Sequence, residues 1–367
     1  MAQNISHLYT KSRDIEYNHE NGNRDLFAVD RDKILFSTEF RRLDGKTQVF
    51  VSGFDDHMRN RLTHTLEVSQ IAVSICKDLG LNATLAEAIA LGHDIGHTPF
   101  GHVGERFLNL LTNNCFKKVA DKYQVEKTDT GFKHNLQGVK VATKLEKIYP
   151  DKEGLGLTSY TLWGIANHSS LTYKKCIDKN ADGRCSLFKQ DCKLNDTFNL
   201  DHYTSILSEA YSENDWSIEA IIVREADEIA QRHHDLEDGI RAKLIDPSKL
   251  VAEFPNMVKD YILPERAKYF LYQSLKHIDN SNIFHHNISS FLISLYSDEI
   301  KKQFKKFEEL NKNTARKDVD YTRFLKSPYS ENFSSYNEKL SDILKSNILF
   351  SQVANQMDGK ANYKYRN

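Results

Sequence analysis

LGHDIGHTPFGHVGE, residues 91–105, gathers His93, Asp94, His97, His102 and Glu105 at the end of an apolar run. The run before it, Thr84 to Leu91, is small and apolar all round, as in a helix buried on every side. Asn82 stands where such a helix needs a cap. Thr98-Pro99 interrupts the chain, and Gly101 to Leu111 reads as a new helix. The stretch is therefore a helix end, a turn and a helix start. At that helix end the backbone can turn His93 and Asp94 toward one point, and an imidazole with a carboxylate makes half of a mixed N/O metal site. A single histidine on an apolar face is ordinarily a satisfied core residue. A His-Asp pair followed by two more histidines and a glutamate departs from that pattern.

Working outward, helical periodicity dominates. Residues 61–79 place Leu62, Leu66, Ile71, Ile75 and Leu79 on one face, with Gly80 as a stop. Ser217 can cap a helix through Ile218, Ile221, Ile222, Ala226, Ile229 and Ala230 to about Leu236. Glu265–Leu275, Ile288–Phe307 and Glu338–Met357 are amphipathic as well. Residues 327–337, SPYSENFSSYN, read as an exposed loop, and the polar residues 173–215 as an irregular insertion. No strand run is long and no internal repeat is present. The expectation is an all-α helical bundle, one domain over residues 1–367 with a mid-chain insertion.

His64, in RLTHTLEV, lies on a helix otherwise patterned for burial, and Asp227, in READEIAQRHHDLEDGIR, follows Ala226 on another. A buried aspartate without a partner is costly, so Asp227 is expected to meet a cation. Asp227, Gln231, His234 and Asp235 are spaced i, i+4, i+7 and i+8, one stripe of a helix.

Composition sets the bounds. The 367 residues carry 50 Lys plus Arg against 51 Asp plus Glu, which excludes a surface basic throughout but leaves room for a local patch. No apolar run approaches the ~18 residues of a membrane-spanning helix, and the start lacks the apolar stretch of a signal peptide. Five widely spaced cysteines do not suggest a disulfide framework and fit a reducing cytoplasm. Scarce proline and glycine, 6 and 16 residues, favour long helices. Five of the 15 histidines fall between His57 and His102, so the chemistry is concentrated there.

His64, the His93-Asp94 doublet and Asp227 match the H…HD…D signature of the HD-domain phosphohydrolases. The likeness is narrower than that superfamily. STEFRRLDGKTQVF (37–50), RLTHTLEVSQIA (61–72), residues 91–105, GFKHNLQG (131–138) and the Asp227 helix resemble, in the same order, the bacterial deoxyguanosinetriphosphate triphosphohydrolases. The resemblance covers roughly residues 24–245, with a weaker echo at the C-terminus, and residues 246–367 read as a C-terminal helical region.

That resemblance implies metal ligands at His64, His93, Asp94 and Asp227, and a catalytic pair at His102 and Glu105. It implies triphosphate-side positions at His97, His134 and Arg61, a sugar contact at Gln48, and pocket positions at Gln231 and Asp235. Family members cleave between the α-phosphorus and the 5′ oxygen of a deoxynucleoside triphosphate, releasing deoxynucleoside and tripolyphosphate. Two imidazoles and two carboxylates suit Mn²⁺, Fe²⁺ or Mg²⁺ rather than a thiolate zinc site. Relatives form rings, so a homo-oligomer is expected. The alternatives are an HD phosphohydrolase acting on a nucleotide monophosphate or signalling nucleotide, and a nucleic-acid-binding regulator with vestigial chemistry.

Two departures and two secondary signals remain. The family usually carries a tyrosine four residues after the metal-binding aspartate, where this chain has Gln231. SQVANQMDGKANYKYRN (351–367) resembles a segment that normally runs on into helices closing part of the nucleotide pocket, so an incomplete base-facing wall and weak base selectivity are expected. Cys176, Cys185 and Cys192 with His202 lack the tight pairs of structural zinc sites and read as ordinary thiols. KKQFKKFEELNKNTARK (301–317) reads as a solvated helix face, with a nucleotide or single-stranded DNA effector patch as the alternative.

Overall fold

The computed structural model describes residues 24–46, 59–99, 101–113, 115, 131–169, 216–257, 261–315, 318–326 and 328–349. Among these the architecture is all-α, and the one β-type pairing is an isolated bridge between Lys147 and Gly154. The helices that position the site are α1 (Leu26–Leu35), α2 (Arg61–Leu79), α3 (Ala83–Gly92), α4 (Gly101–Thr112), α5 (His134–Lys140), α6 (Ser159–Asn167) and α7 (Ile218–Arg241). Beyond them lie α8 (Pro247–Met257), α9 (Glu265–Lys276), α10 (Ser281–Asn311), α11 (Tyr321–Lys326) and α12 (Glu331–Leu344).

Caps fix the ends that matter. The Asn60 side chain accepts from the Thr63 amide to start α2, and Gly80, left-handed at φ 69°, ends it. Asn82 accepts from Thr84 and Leu85, while its own amide donates to Glu219 in α7 at 2.9 Å, so α3 starts in register with α7. Ser217 accepts from Ala220 at the head of α7.

Two cores sandwich the turn that follows α3. The larger runs between α2, α3 and α7 and on into α8–α12, with Val68, Ile75, Leu85, Ile89, Ile222 and Ile229 fully enclosed. The smaller joins α1, α5 and α6, and includes Leu91 and Ile95. Ile89 and Ala90 thus belong to one core, and Leu91 and Ile95 to the other, so residues 93–97 sit on the seam. Fully burying a Leu or Ile contributes about 1.5–3 kcal/mol, and this seam is flanked by such residues on both sides.

The structure corrects several boundaries. On α2 the buried face is Arg61, His64, Thr65, Val68, Ile71, Ala72, Ile75 and Cys76, while Leu66 is 46% exposed. The polar head of α2 faces the site instead of the core, which rotates the buried stripe away from Leu62 and Leu66. α7 continues past Leu236 to Arg241 because its second half buries His233, His234, Asp235, Glu237 and Asp238 together. Residues 331–337 are helix, not loop: Phe333, Tyr336, Leu340 and Leu344 form a buried stripe that the surrounding serines disguise. The expected Glu338–Met357 helix therefore begins at Glu331. The Ile288–Phe307 pattern is the centre of a longer helix, α10. The insertion 173–215, its cysteines with His202, and the tail 351–367 lie outside the described residues.

Gly96 in the turn meets Gly138 in α5 backbone to backbone. A Cβ at Gly96 would lie 2.1 Å from the Gly138 nitrogen and 2.2 Å from the His134 carbonyl oxygen. Backbone cannot swing aside as a side-chain tip can, so Gly96→Ala should force the turn off α5. Its expected cost is at least the ~1–3 kcal/mol of an overpacked core. Gly45, with nothing within 4 Å of its Cβ position, is the control. Urea unfolding of both variants tests this; a Gly96→Ala midpoint equal to that of Gly45→Ala would refute the close approach.

Candidate functional site

His93 stands one residue past α3, where its Nδ1–H donates to the Ala90 carbonyl at 2.6 Å. That bond leaves the lone pair of a neutral ring on Nε2, which is buried and has no hydrogen-bond partner. Nε2 faces Asp94 Oδ2 at 3.6 Å and Asp227 Oδ1 at 3.8 Å. From α2, His64 brings its Nε2 to 2.9 Å from Asp227 Oδ1, while its Nδ1 lies 3.3 Å from His234 Nδ1. Donor atoms of His64, His93 and Asp94 all lie within 4.8 Å of one another. Three elements distant in sequence thus aim two imidazoles and two carboxylates at one point. The orphaned Nε2 of His93, opposed by carboxylates, is the arrangement a divalent cation satisfies.

Asp94 also accepts from Arg61 Nη1 at 2.5 Å. Burial opposes the charged form of Asp94, but the Arg61 guanidinium beside it outweighs burial and holds the carboxyl well below its usual range. Asp227 is likewise held low against burial, chiefly by its bond to His64. Both carboxylates are therefore ionised and ready to ligate.

Around this point opens a cavity of about 380 Å³, lined by Arg61, His64, Asp94, His97, His102, His134, Gln231 and Asp235 among others. His97 stacks on His134, ring centroids 4.2 Å apart. Burial first, then Arg61 and His134, push His97 well below its usual pKa, so this ring is neutral. Asp235 is pushed up to about 7 by burial and by Asp238 beside it. His102 is at the mouth, its side chain 77% exposed.

Glu105 faces two imidazoles. Its Oε2 accepts from His134 Nδ1 at 2.7 Å, whereas His102 Nδ1 is 3.7 Å away. On its other side His134 Nε2 lies 3.1 Å from His168 Nε2, and His168 Nδ1–H donates to the Ile165 carbonyl at 2.7 Å. Burial, then His93 and His134, lower His168 to about 3, so it is neutral with its lone pair on Nε2. His134 is thus held from both sides, by Glu105 at Nδ1 and by His168 at Nε2.

The structure brings together eleven of the twelve candidate residues, and Gln48 lies outside the described residues. Sequence reading missed His168, Arg224, Glu228 and Asp238, which also line the cavity. Arg224 and Glu228 extend the stripe of Gln231 and Asp235 at helical spacing, a signal the stripe argument could have used. His168 follows a buried helix with no local mark of its partner His134, 34 residues earlier.

An HD-domain family model matches residues 61–239. The chain is 41% identical over 275 residues to a deoxyguanosinetriphosphate triphosphohydrolase-like protein of Wolinella succinogenes, covering 73% of this chain and 64% of that one. A protein of the same description from Rickettsia prowazekii is 35% identical over 322 residues, covering 88% and 72%. One from Clostridium tetani is 39% identical over 249 residues, covering 68% and 56%.

A cation that binds the folded state alone raises stability in proportion to the logarithm of its concentration above Kd. Mn²⁺ added to metal-stripped protein should therefore raise Tm, and Asp94→Ala should abolish the rise. An equal rise in Asp94→Ala would place the ion elsewhere.

Proposed function

The chain belongs to the HD-domain, deoxyguanosinetriphosphate triphosphohydrolase-like family, and from that membership we propose that it hydrolyses deoxynucleoside triphosphates to deoxynucleoside and tripolyphosphate with a divalent ion. The observation that carries the reading is the cluster of His64, His93 and Asp94, with Asp227 bonded to His64, beside a cavity that Arg61 and Arg224 also line. The chain spans 64% of the Wolinella protein's length, so the activity is a proposal about this chain and not a transfer of the whole relative's.

In this reading His64, His93, Asp94 and Asp227 hold Mn²⁺, Mg²⁺ or Fe²⁺. When bound, such an ion polarises a phosphoryl oxygen and makes water a better nucleophile near neutral pH. The chain's own residues do the rest. Arg61 is anchored on Asp94 through Nη1, and its Nε is buried without a partner, a donor left over for a phosphate oxygen. His97 likewise has a buried, unpartnered Nδ1. His134, held between Glu105 and His168, fixes the ring on which His97 stacks at the cavity wall. Donors fixed in advance in a partly dry pocket stabilise developing charge better than water can.

His102, exposed at the mouth, is free to approach the scissile bond as a general acid or to orient water, with Glu105 within 4 Å to support it. In apo geometry such contacts are commonly long and tighten with substrate. The substrate partner is thus a dNTP, and a homo-oligomer in the cytoplasm is the setting we infer from the family.

Phosphorus NMR of the products tests the reaction. Tripolyphosphate is the expected signal, and pyrophosphate with a monophosphate would overturn the reaction type. His102→Ala should keep its metal and lose on the order of 10²–10⁴-fold in rate.

Gln231, half-buried and four residues after Asp227, lines the cavity. Glutamine is smaller than tyrosine and can both donate to and accept from a 2′-hydroxyl. A satisfied polar contact reverses discrimination that a ring enforces by bulk, so selectivity for dGTP over GTP is expected to be loose. Gln231→Tyr should tighten it, measured as the ratio of kcat/KM values. Wild-type protein that already rejects GTP by about 10³-fold, with the tyrosine variant no stricter, would contradict this.

A further inference from the structure

His64 differs from His93 in how its outer nitrogen is held. His93 rests on a backbone carbonyl, but His64 points its Nδ1 at another imidazole, His234 Nδ1, at 3.3 Å. His234 then places its Nε2 2.5 Å from Glu67 Oε2, and Glu67 Oε1 takes a 3.1 Å bond from Arg59 Nε. Arg59 is in turn ion-paired with Glu237. His64 and His234 are buried, while Glu67 has a side chain 36% exposed.

Without a cation, His64 Nε2 can carry the proton that bonds Asp227 at 2.9 Å; with a cation on that nitrogen, proton counting gives this chain one direction. A histidine that ligates through Nε2 must carry its proton on Nδ1. His64 Nδ1–H therefore donates to His234 Nδ1, which must accept. A neutral His234 then has its proton on Nε2 and donates it to Glu67, which as a carboxylate only accepts. Glu67 is completed by Arg59. Every hydrogen bond has one donor and one acceptor, and reversing any of them puts a proton on His64 Nε2, where the cation belongs.

We propose that Glu67 and His234 are positioning residues for His64, a carboxylate–imidazole–imidazole relay that fixes the ligand's tautomer and ring plane and sets how tightly the site holds its ion. The proposal rests on the reading of His64 as a metal ligand. The carboxylate at the far end raises the basicity of His64 through two bonds, as an outer carboxylate does when bonded directly to a ligating histidine.

Glu67, His233 and His234 also bring ligand-type atoms within 4.8 Å of one another, with the Nε2 of the buried His233 3.2 Å from Glu67 Oε2. An ion there would take the Nε2 lone pair of His234 and move its proton to Nδ1. His64 Nδ1 would then have to accept, and its own proton would pass to Nε2. The two ions exclude each other, so the triad serves the first site and is not a second one.

The test uses full-length, metal-stripped protein titrated with Mn²⁺, with free ion counted by electron paramagnetic resonance and thermal melts recorded alongside. Wild type should bind one equivalent. Glu67→Gln and His234→Ala should each weaken binding by about 10–100-fold, the range for losing an outer partner of a metal ligand. Because the relay acts as a unit, the double variant should be no more than about 3-fold weaker than the worse single one. His233→Asn, which alters the same cluster without touching His64, should stay within about 3-fold of wild type. Wild-type affinity in Glu67→Gln, or fully additive losses in the double variant, overturns the relay while leaving His64 a ligand. A second wild-type equivalent that His233→Asn removes overturns it in favour of an ion at the triad. Wild type that binds no Mn²⁺ overturns the underlying reading and the relay with it.

Discussion

His64 Nε2 lies 2.9 Å from Asp227, and His93 Nε2 lies 3.6 and 3.8 Å from Asp94 and Asp227, in a largely buried position. Two carboxylates gathered there need compensating positive charge, and an uncompensated buried charge costs several kcal/mol. The rest of the fold can be understood as the structure that keeps this cluster closed. α2, α3 and α7 each deliver one or two of its members, and the Asn82–Glu219 bond and the shared core hold those helices in register. Arg61 on Asp94 offsets part of the negative charge, which lets the pocket persist before an ion or substrate arrives.

Charge is then distributed by distance from that cluster. The floor is acceptor-rich. The wall toward α4 and α5 carries Arg61, His97 and His134, with the His134 ring held between Glu105 and His168. Two histidine chains brace the site: His64–His234–Glu67 behind the candidate ligands, and Glu105–His134–His168 behind the His134 ring that lines the cavity.

The parts of this arrangement that were legible in sequence are the short-range ones. Residues 91–105 carry their own helix end, turn and helix start, so the His93-Asp94 doublet declares itself within one segment. The Asp227 stripe follows from helical spacing alone. What was hidden depends on contacts across the chain: His168 reaches His134 over 34 residues, and Glu67 reaches His234 over 167. The same cause misplaced the face of α2, since the residues buried at its head are polar and serve the site. Phe333 and Tyr336 show the converse, two aromatics among serines whose burial is decided by α7 and α10 and not by their neighbours in sequence.

Anomalous diffraction at the manganese edge, from crystals of the full-length protein soaked in Mn²⁺, tests the central claim most directly. The account predicts one strong peak per chain within about 2.0–2.3 Å of His64 Nε2, His93 Nε2 and an oxygen of each of Asp94 and Asp227, the ordinary bonding range for such ligands. A peak beside Glu67 and His233, or no peak among the four residues at saturating ion, would contradict it.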